Sequence, residues 1–403
     1  MADSSFDVEA LTAGATTTIS VSDDGSGRDW VILHGNHKDY STFRLEWWVT
    51  NGTSTTARVN YTTLDGKSYS LEVAGLIENV LGSIGRDWVN GNEADNLIYG
   101  DNARSGDGGN DTLGGHTGDD TIYGGAGNDE LGGSYDDDML FGDAGNDMLS
   151  GGDGDDTLTG GAGADLLYGG SNGTDWVTYG DSAAAVNVRL IAGDTAYSTG
   201  GDAQGDAIYG VANVSGSRFN DTITDRPESN AYNANIFRGL AGNDSLILGG
   251  NHDTGYGGSG LDRLLGQAGN DTLLGETGAD SLNGGLGADR LSGGTGADTF
   301  ILRSLDDSTT AATGRDRITD FARGQHDRID LSAIDANGSA RGNGTFSFVG
   351  DDRFGGSRAE LRVIETATGW RVTGDVDGDG RADFALDVTT AGDLPLRAVD
   401  FIL

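Results

Sequence analysis

The chain has 403 residues, of which 64 are acidic and 25 are Lys or Arg, and its formal net charge at pH 7 is −39. So strong a negative charge repels phosphate backbones and anionic membrane surfaces, which argues against a nucleic-acid-binding protein. It also opposes compaction unless cations neutralise part of it, so cations are the first expected partners.

The composition excludes further classes of protein, because the chain contains 71 glycines, two prolines and no cysteine. The lack of cysteine excludes a disulfide scaffold and a thiolate metal site. The first residues contain neither a basic region nor an apolar run of signal-peptide length, and no stretch approaches the roughly 18 apolar residues of a membrane span. We therefore expect no export by a cleaved leader and no membrane span.

Residues 1–81 differ from the rest of the chain, because apolar and polar side chains alternate with period two, as along Phe43–Val49. Asn51-Gly52 and Asp65-Gly66 separate such runs, and these dipeptides are typical of tight hairpin turns. The pattern predicts an N-terminal antiparallel β cap over 1–81.

From residue 82 onward, aspartates recur at intervals of nine residues, in one run within 82–170 and a second within 238–302. The first run is Asp111, Asp120, Asp129, Asp138, Asp147, Asp156 and Asp165, and the second is Asp244, Asp253, Asp262, Asp271, Asp280, Asp289 and Asp298. The sequence around these aspartates, as in Gly124–Gly132, follows the pattern GGxGxDxUx, in which U is an apolar residue. Such recurrence predicts a solenoid of nonapeptide units.

The nonapeptide predicts its own local structure. Its glycines permit a tight turn, and its last three residues form a short strand with one buried apolar side chain. Two units close one coil, so loops of alternate units stack about 4.8 Å apart, at the spacing of neighbouring strands. Aspartates of alternate units are then expected to face one another along each edge of the coil.

These nonapeptides resemble the calcium-binding repeats of RTX proteins, which implies a parallel β-roll, the RTX β-helix. The residue chemistry agrees, because carboxylate and carbonyl oxygens without imidazole or sulfur favour calcium over zinc or copper. The fourteen aspartates are therefore candidate ligands for multiple calcium ions. Asp136 replaces a glycine in repeat 133–141, and Gly255 replaces the apolar residue of its repeat. A distorted coil or a coil without metal is an open alternative for these two.

Between the two runs, residues 171–237 contain less glycine. Two stretches still look like single repeats, and they carry Asp206 and Asp221. We predict an irregular β connector with degenerate repeats, which either continues the coil with bulges or forms a small β insert.

The segment from Gly294 to Leu403 resembles the serralysin C-terminal domain, which follows RTX repeats in secreted metalloproteases. The sequence segments that carry the resemblance are Ala297–Ile301, Asp316–Phe321, Asp327–Ser332, Gly374–Phe384 and Asp400–Leu403. The repeat modules of mannuronan epimerases are a looser resemblance. The serralysin resemblance implies a β-rich C-terminal domain over 303–403 with an uncleaved type I secretion signal, and thus a secreted protein, extracellular or at the cell surface.

A second candidate calcium site lies in the C-terminal region. Asp375, Asp377, Asp379 and Asp383 stand at positions 1, 3, 5 and 9 of a glycine-containing loop, which is the spacing of an EF-hand-like loop. No glutamate follows at position 12, so an acidic hairpin turn is the alternative.

The sequence lacks the common catalytic motifs. His34-Gly-Asn-His37 has neither the glutamate nor the spacing of HExxH, and the chain has no GxSxG motif and no cysteine nucleophile. We therefore expect no enzymatic activity. Two functions remain: a structural protein of the cell surface or extracellular matrix, and a polysaccharide-binding module or accessory to an exopolysaccharide-modifying enzyme. The first is favoured because repeats occupy most of the chain. The expected partners are calcium, further copies of the chain or an extracellular polysaccharide, and the type I secretion machinery.

Overall fold

The computed structural model describes residues 6–12, 15–23, 29–34, 40–49, 55–63, 68–74 and 79–403, except 83–85, 102–107, 191–196, 226–233 and 337–343. Before residue 80 the description is of the backbone. The chain forms two compact units, the first made of residues 1–179 and 195–213 and the second of residues 180–194 and 214–403.

The first unit begins with two antiparallel sheets of three strands. Their strands are β1 (Phe6–Thr12), β2 (Ala15–Asp23) and β3 (Asp29–His34), then β4 (Tyr40–Val49), β5 (Thr55–Thr63) and β6 (Ser68–Ala74). Neighbouring strands within each triplet pair antiparallel. This arrangement confirms the predicted antiparallel β cap.

Beyond the cap, the first unit consists of short parallel strands stacked in two columns. One column contains β7 (Asn79–Leu81), β9 (Leu97–Tyr99), β11 (Thr121–Ala126), β13 (Met139–Ala144), β15 (Thr157–Thr159) and β17 (Trp176–Thr178). The other contains β8 (Trp88–Asn90), β10 (Thr112–His116), β12 (Glu130–Tyr135), β14 (Met148–Asp153), β16 (Leu166–Asn172) and β19 (Ala207–Tyr209). Because β3 pairs with β7 and β4 with β8, each cap sheet covers the first edge of one column.

The register of the columns follows the nonapeptide. Leu113 lies opposite Leu131, and Leu131 lies opposite Leu149, so each coil contains two nonapeptide units. The second residue of each strand points inward and is almost fully buried, and these residues form a ladder of Val, Ile and Leu side chains. The coil between Val89 and Leu113 is longer than the regular coils, because these two residues lie opposite each other.

The second unit also contains two columns of parallel strands. One is formed by β18 (Asn187–Leu190), β21 (Thr222–Asp225), β23 (Ser245–Ile247), β25 (Arg263–Ala268), β27 (Ser281–Leu286), β29 (Thr299–Ile301), β31 (Arg328–Asp330) and β36 (Phe401–Ile402). The other is formed by β22 (Ile236–Arg238), β24 (Thr254–Gly260), β26 (Thr272–Gly278), β28 (Arg290–Ser292), β30 (Arg317–Phe321) and β35 (Phe384–Thr390). Strand β20 (Asn213–Ser215) lies where the chain passes from the first unit to the second.

The C-terminal region continues these columns. Ile318 pairs with Leu291 of the second array and with Val388, and Ile329 pairs with Phe300 and with Phe401. Two further strands, β33 (Glu360–Thr366) and β34 (Gly369–Asp375), form an antiparallel meander with β35, and β32 (Ser347–Gly350) pairs with β33. The coil of the second array therefore extends beyond residue 303.

Helical structure in the described residues is confined to single 3-10 turns. They span Gly201–Ala203, Ala312–Gly314, Arg323–Gln325, Ala391–Asp393 and Ala398–Asp400. The structure thus confirms the predicted all-β class with parallel β-roll arrays. Over the same residues, no helix combines the length and the hydrophobicity needed to cross a membrane.

Candidate metal centre

The coil places the repeat aspartates in rows along its two edges. In the first array, the backbone N–H of Asp111 donates to Oδ1 of Asp129 at 2.7 Å, and the N–H of Asp129 donates to Oδ1 of Asp147 at 2.8 Å. The other edge repeats the contact from Asp120 to Asp138 at 2.9 Å. Each row therefore joins aspartates of successive coils, and one carboxylate oxygen of each residue holds two coils together.

The second array contains the same two rows. Asp244 donates to Asp262, Asp262 to Asp280 and Asp280 to Asp298 on one edge, and Asp253 donates to Asp271 and Asp271 to Asp289 on the other. All these N–H to Oδ1 distances are 2.8 or 2.9 Å. The structure thus brings all fourteen repeat aspartates into continuous rows.

The second carboxylate oxygen of these aspartates has no protein partner. In all fourteen, Oδ2 is buried without a hydrogen-bond donor. A buried carboxylate oxygen is costly unless a donor or a cation compensates it. A positive charge placed beside the unpaired Oδ2 atoms would therefore stabilise the fold.

Backbone carbonyl groups surround the unpaired Oδ2 atoms. A β-carbon on Gly142 would lie 2.6 Å from Oδ2 of Asp147 and 2.5 Å from the carbonyl oxygen of Gly160 in the next coil. On Gly257, the corresponding distances are 2.6 Å to Asp262 and 2.8 Å to the Gly275 oxygen. Glycine at this position leaves a space lined by carboxylate and carbonyl oxygens. These are the ligands that calcium prefers, so the residues fit calcium.

Burial and neighbouring charges shift the acidity of the rows. Burial, together with the charge of Asp87, raises the pKa of Asp111 to about 9. Burial, together with neighbouring carboxylates of the row, raises the pKa of Asp147 and of Asp271 to about 8. Without a cation, these carboxyl groups hold protons at neutral pH. A divalent cation would favour their ionised form.

The rows also contain aspartates that are not among the calcium ligands predicted from the sequence. Asp87, Asp175 and Asp206 continue the rows of the first unit, since their Oδ1 atoms or N–H groups join the same ladders. Asp316 and Asp327 extend the second array in the same way. In the sequence, each of these aspartates stands two positions before an apolar residue that is buried in the structure. Their irregular spacing makes this pattern hard to recognise.

The two irregular repeats keep the regular register. Asp136 adopts φ of 71°, in the left-handed region, and strands β12 and β14 pair without a shift as far as Tyr135 and Asp153. Gly255 leaves a space in the core that Leu248 fills, because a β-carbon there would lie 3.3 Å from both methyl groups of Leu248. Neither substitution interrupts the coil.

The C-terminal loop brings three of its four candidate aspartates together. Carboxylate oxygens of Asp375, Asp377 and Asp383 lie within 4.8 Å of one another, whereas Asp379 is not part of the group. Asp375 is fully buried and accepts N–H groups of Gly378 at 2.7 Å and Gly380 at 2.9 Å. The loop therefore offers three carboxylates, and the hydrogen bonds equally suit an acidic turn.

Two known protein families match parts of this chain, one in the repeats and one in the C-terminal region. The RTX calcium-binding nonapeptide repeat family matches in four copies, at residues 77–103, 105–140, 132–167 and 141–177. The family described as peptidase M10 serralysin C terminal matches residues 228–403. No curated protein sequence matches the chain significantly.

Two solved structures are similar to part of the chain. The AlgE6R2 subunit of the Azotobacter vinelandii mannuronan C5-epimerase is 26% identical, with a TM-score of 0.27, over 44% of this chain and 96% of the subunit. The AlgE6R3 subunit of the same enzyme is 29% identical, with a TM-score of 0.20, over 43% of this chain and 81% of the subunit. The two family matches show that the chain carries RTX calcium-binding nonapeptide repeats and, after them, a serralysin-type C-terminal domain.

Proposed function

We propose that the chain is a secreted protein whose repeats fold when they bind calcium outside the cell, and that it is a structural component of the cell surface or extracellular matrix. The observation that carries the proposal is the set of fourteen buried, unpaired Oδ2 atoms, each in a repeat aspartate of a chain with net charge −39. Extracellular calcium-binding modules typically have Kd values of about 10⁻⁴ to 10⁻³ M, which suits folding after export.

The serralysin-type C-terminal domain supports export by a type I machinery. Most of the aspartates with a raised pKa lie in the repeats, and the sequence contains none of the common catalytic motifs. We therefore propose a non-enzymatic role.

Calcium titration of the purified full chain tests this function. In chelator at pH 7.5, circular dichroism should show little β structure, because without a cation each buried carboxyl group must either take up a proton or stay uncompensated, and both oppose folding at this pH. Millimolar calcium should restore β structure, whereas magnesium at the same concentration should be much less effective, since it demands a smaller octahedral site. Full β structure in chelator at this pH would contradict calcium-dependent folding of the arrays.

A second candidate function, binding of an anionic polysaccharide, has one observation in its favour. Arg290 and Arg317 lie opposite each other on the adjacent strands β28 and β30, and both are exposed. Within the described chain, neither side chain has an ion-pair partner. Two adjacent, exposed arginines without an ion-pair partner are unusual on so acidic a chain, and they suit a polymer with repeated carboxylates.

The test compares the calcium-loaded chain with the double variant Arg290→Gln and Arg317→Gln for binding to polygalacturonate. Loss of two exposed ion pairs should weaken binding about three- to tenfold, and more strongly at low salt. The exposed Arg303→Gln is the matched control. Equal binding by the double variant and the control, or no binding by the wild type, would exclude this strip as a polysaccharide site.

A further inference from the structure

One of the two rows of carboxylates in the first unit ends at a residue with a different hydrogen-bond pattern. Asp206 accepts the N–H of Asp165 through Oδ1 at 2.9 Å, as the repeat aspartates do. Its Oδ2, however, accepts the hydroxyl of Tyr179 at 2.8 Å. Tyr179 is only 2% exposed and Asp206 only 1%. The oxygen that lacks a partner in every repeat is therefore saturated here by a buried phenol.

The loop before Asp206 also differs from the repeat loops. The N–H of Gly205 donates to the Ser198 carbonyl at 3.0 Å, and the N–H of Ala203 donates to the Gly200 carbonyl at 3.0 Å. The Asp206 carbonyl accepts the N–H of Ser198 at 2.8 Å. Carbonyl groups of this loop are thus engaged within the loop. A calcium site needs six to eight oxygen ligands, and the carbonyl oxygens of Ser198 and Gly200 are already engaged by N–H groups of the loop.

The first aspartate of a row in the second unit is saturated in the same way. Asp221 donates its N–H to Oδ1 of Asp244, and so belongs to the row. Its own Oδ1 accepts the hydroxyl of Ser217 at 2.7 Å and the N–H of Val186 at 2.8 Å, and its Oδ2 accepts the N–H of Ser217 at 2.5 Å. Both carboxylate oxygens are again compensated by protein donors.

We infer that Tyr179 and Ser217 each terminate one calcium row: the coils of Asp206 and Asp221 hold no calcium and are stabilised by hydrogen bonds instead. The inference rests on the proposed function, in which the repeat aspartates hold calcium. It makes Tyr179 and Ser217 the residues that determine where calcium binding stops. It also means that the ends of the two arrays bordering the connector need no calcium for their local structure, as capping repeats of a solenoid do.

The test counts calcium ions bound at saturation by equilibrium dialysis of the full chain. Asp206→Asn keeps an oxygen for the Asp165 N–H and removes the charge, so the number of bound ions should remain that of the wild type. Asp156→Asn is the matched variant, because Asp156 has the same ladder contact but an unpaired Oδ2. It should lower the count by at least one. A lower count for Asp206→Asn would overturn the inference.

Tyr179→Phe provides a second readout that leaves the carboxylate in place. Removal of the hydroxyl should lower the midpoint of thermal unfolding, because Oδ2 of Asp206 loses its donor, while the calcium count stays the same or rises by one. A lower count would mean that Tyr179 supports an ion bound at Asp206, and would overturn the inference even if Asp206→Asn does not fold. If Asp156→Asn also keeps the wild-type count, the calcium function of the arrays fails, independently of the termination.

Discussion

The two oxygens of each repeat aspartate have separate roles. Oδ1 accepts a backbone N–H from the preceding coil, which is a structural role that an asparagine can share. Oδ2 is buried beside backbone carbonyl oxygens without a protein donor, so it needs a cation or, in the metal-free fold, a proton. Substitution by asparagine and by alanine should therefore separate the two roles.

At Asp271, asparagine should remove calcium binding while it keeps the contact between coils. Asp271→Asn should bind at least one ion fewer, because its amide group replaces the ligand Oδ2. Asp271→Ala should lose the same ions and also leave the N–H of Asp253 without an acceptor, which costs roughly 1–3 kcal/mol more. Calorimetric calcium titration together with thermal unfolding in saturating calcium would measure both effects.

The exposed Asp306→Asn removes the same charge away from the rows and is the control for Asp271. It should leave both the stoichiometry and the stability unchanged. If Asp271→Asn keeps the wild-type stoichiometry, Oδ2 of the repeat aspartates is not a calcium ligand.

The C-terminal loop allows a matched comparison of neighbouring aspartates. Asp383 belongs to the group of three carboxylates, whereas Asp379 lies outside it. If the loop holds an ion, Asp383→Asn should bind one calcium fewer and Asp379→Asn should bind the wild-type number, measured by equilibrium dialysis. Equal counts in both variants and the wild type would favour the acidic-turn alternative.

At the scale of the element, a single coil is a pair of short strands whose loops carry buried carboxyl groups. Burial raises the pKa of Asp147 and Asp271 to about 8 and that of Asp253 to about 7 in the metal-free fold, above the value near 3.9 expected in the unfolded chain. The protonated form is therefore favoured by folding. Its contribution to stability is complete below pH 3.9 and is lost as pH rises through about 7 to 8.

The coil should consequently respond to acid when calcium is absent. Calcium-free protein should gain β structure as the pH is lowered from 8 to 5, and circular dichroism of extensively dialysed protein would follow this change. At pH 5 the calcium midpoint should also be higher than at pH 8, because protons compete for the same oxygens. A metal-free chain with more β structure at pH 8 than at pH 5 would contradict the assignment of buried carboxyl groups.

The last strand, β36, is a separate element that the export proposal concerns directly. Deletion of residues 398–403 should abolish export by a type I machinery, while the calcium stoichiometry of the arrays stays the same, because their rows lie elsewhere in the chain. The deletion also removes Asp400, which is fully buried and accepts the Arg323 Nε–H at 2.8 Å. Immunodetection of the protein inside and outside producing cells would measure the effect.

Arg323→Ala separates export from folding in this experiment, since it breaks the same ion pair and retains the last residues. This variant should still be exported. Export of the truncated chain at the level of the full chain would refute a signal in these residues.

At the scale of the whole molecule, one edge of the first array carries a second, exposed row of carboxylates. Asp119, Asp137 and Asp155 lie one coil apart, and Oδ1 of each of these residues accepts an N–H of a following coil. On the other edge, Asn110 and Asn128 make the same contact through neutral side chains. The edge therefore differs in charge and not in backbone structure.

We expect this row to share calcium with a second copy of the chain. Sedimentation velocity should show oligomers in millimolar calcium and monomers in the triple variant Asp119→Asn, Asp137→Asn and Asp155→Asn. Because asparagine serves naturally at the equivalent positions, the variant should fold and bind calcium in its buried rows. Folded monomers of the wild type throughout this calcium range would contradict a self-assembling structural role and favour binding of an external polymer.

Much of this molecule follows from the sequence alone. The nonapeptide interval predicts a coil of two units, since two turns and two strands are needed to close it, and the same interval places Asp111 beside Asp129. The alternation over 1–81 predicts antiparallel strands. Both inferences depend on local periodicity, which a single sequence records directly.

Other features were decided only by tertiary structure. Insertions change the spacing from Asp289 to Asp316 and from Asp165 to Asp206, so the continuation of the rows becomes visible only through strand register. The hydroxyl of Tyr179 donates to Asp206, which lies 27 residues further along the chain, and no local sequence pattern predicts this hydrogen bond. Periodicity determines which carboxylates stack, whereas the compensation of each buried oxygen depends on contacts between distant segments, which arise only when the chain folds.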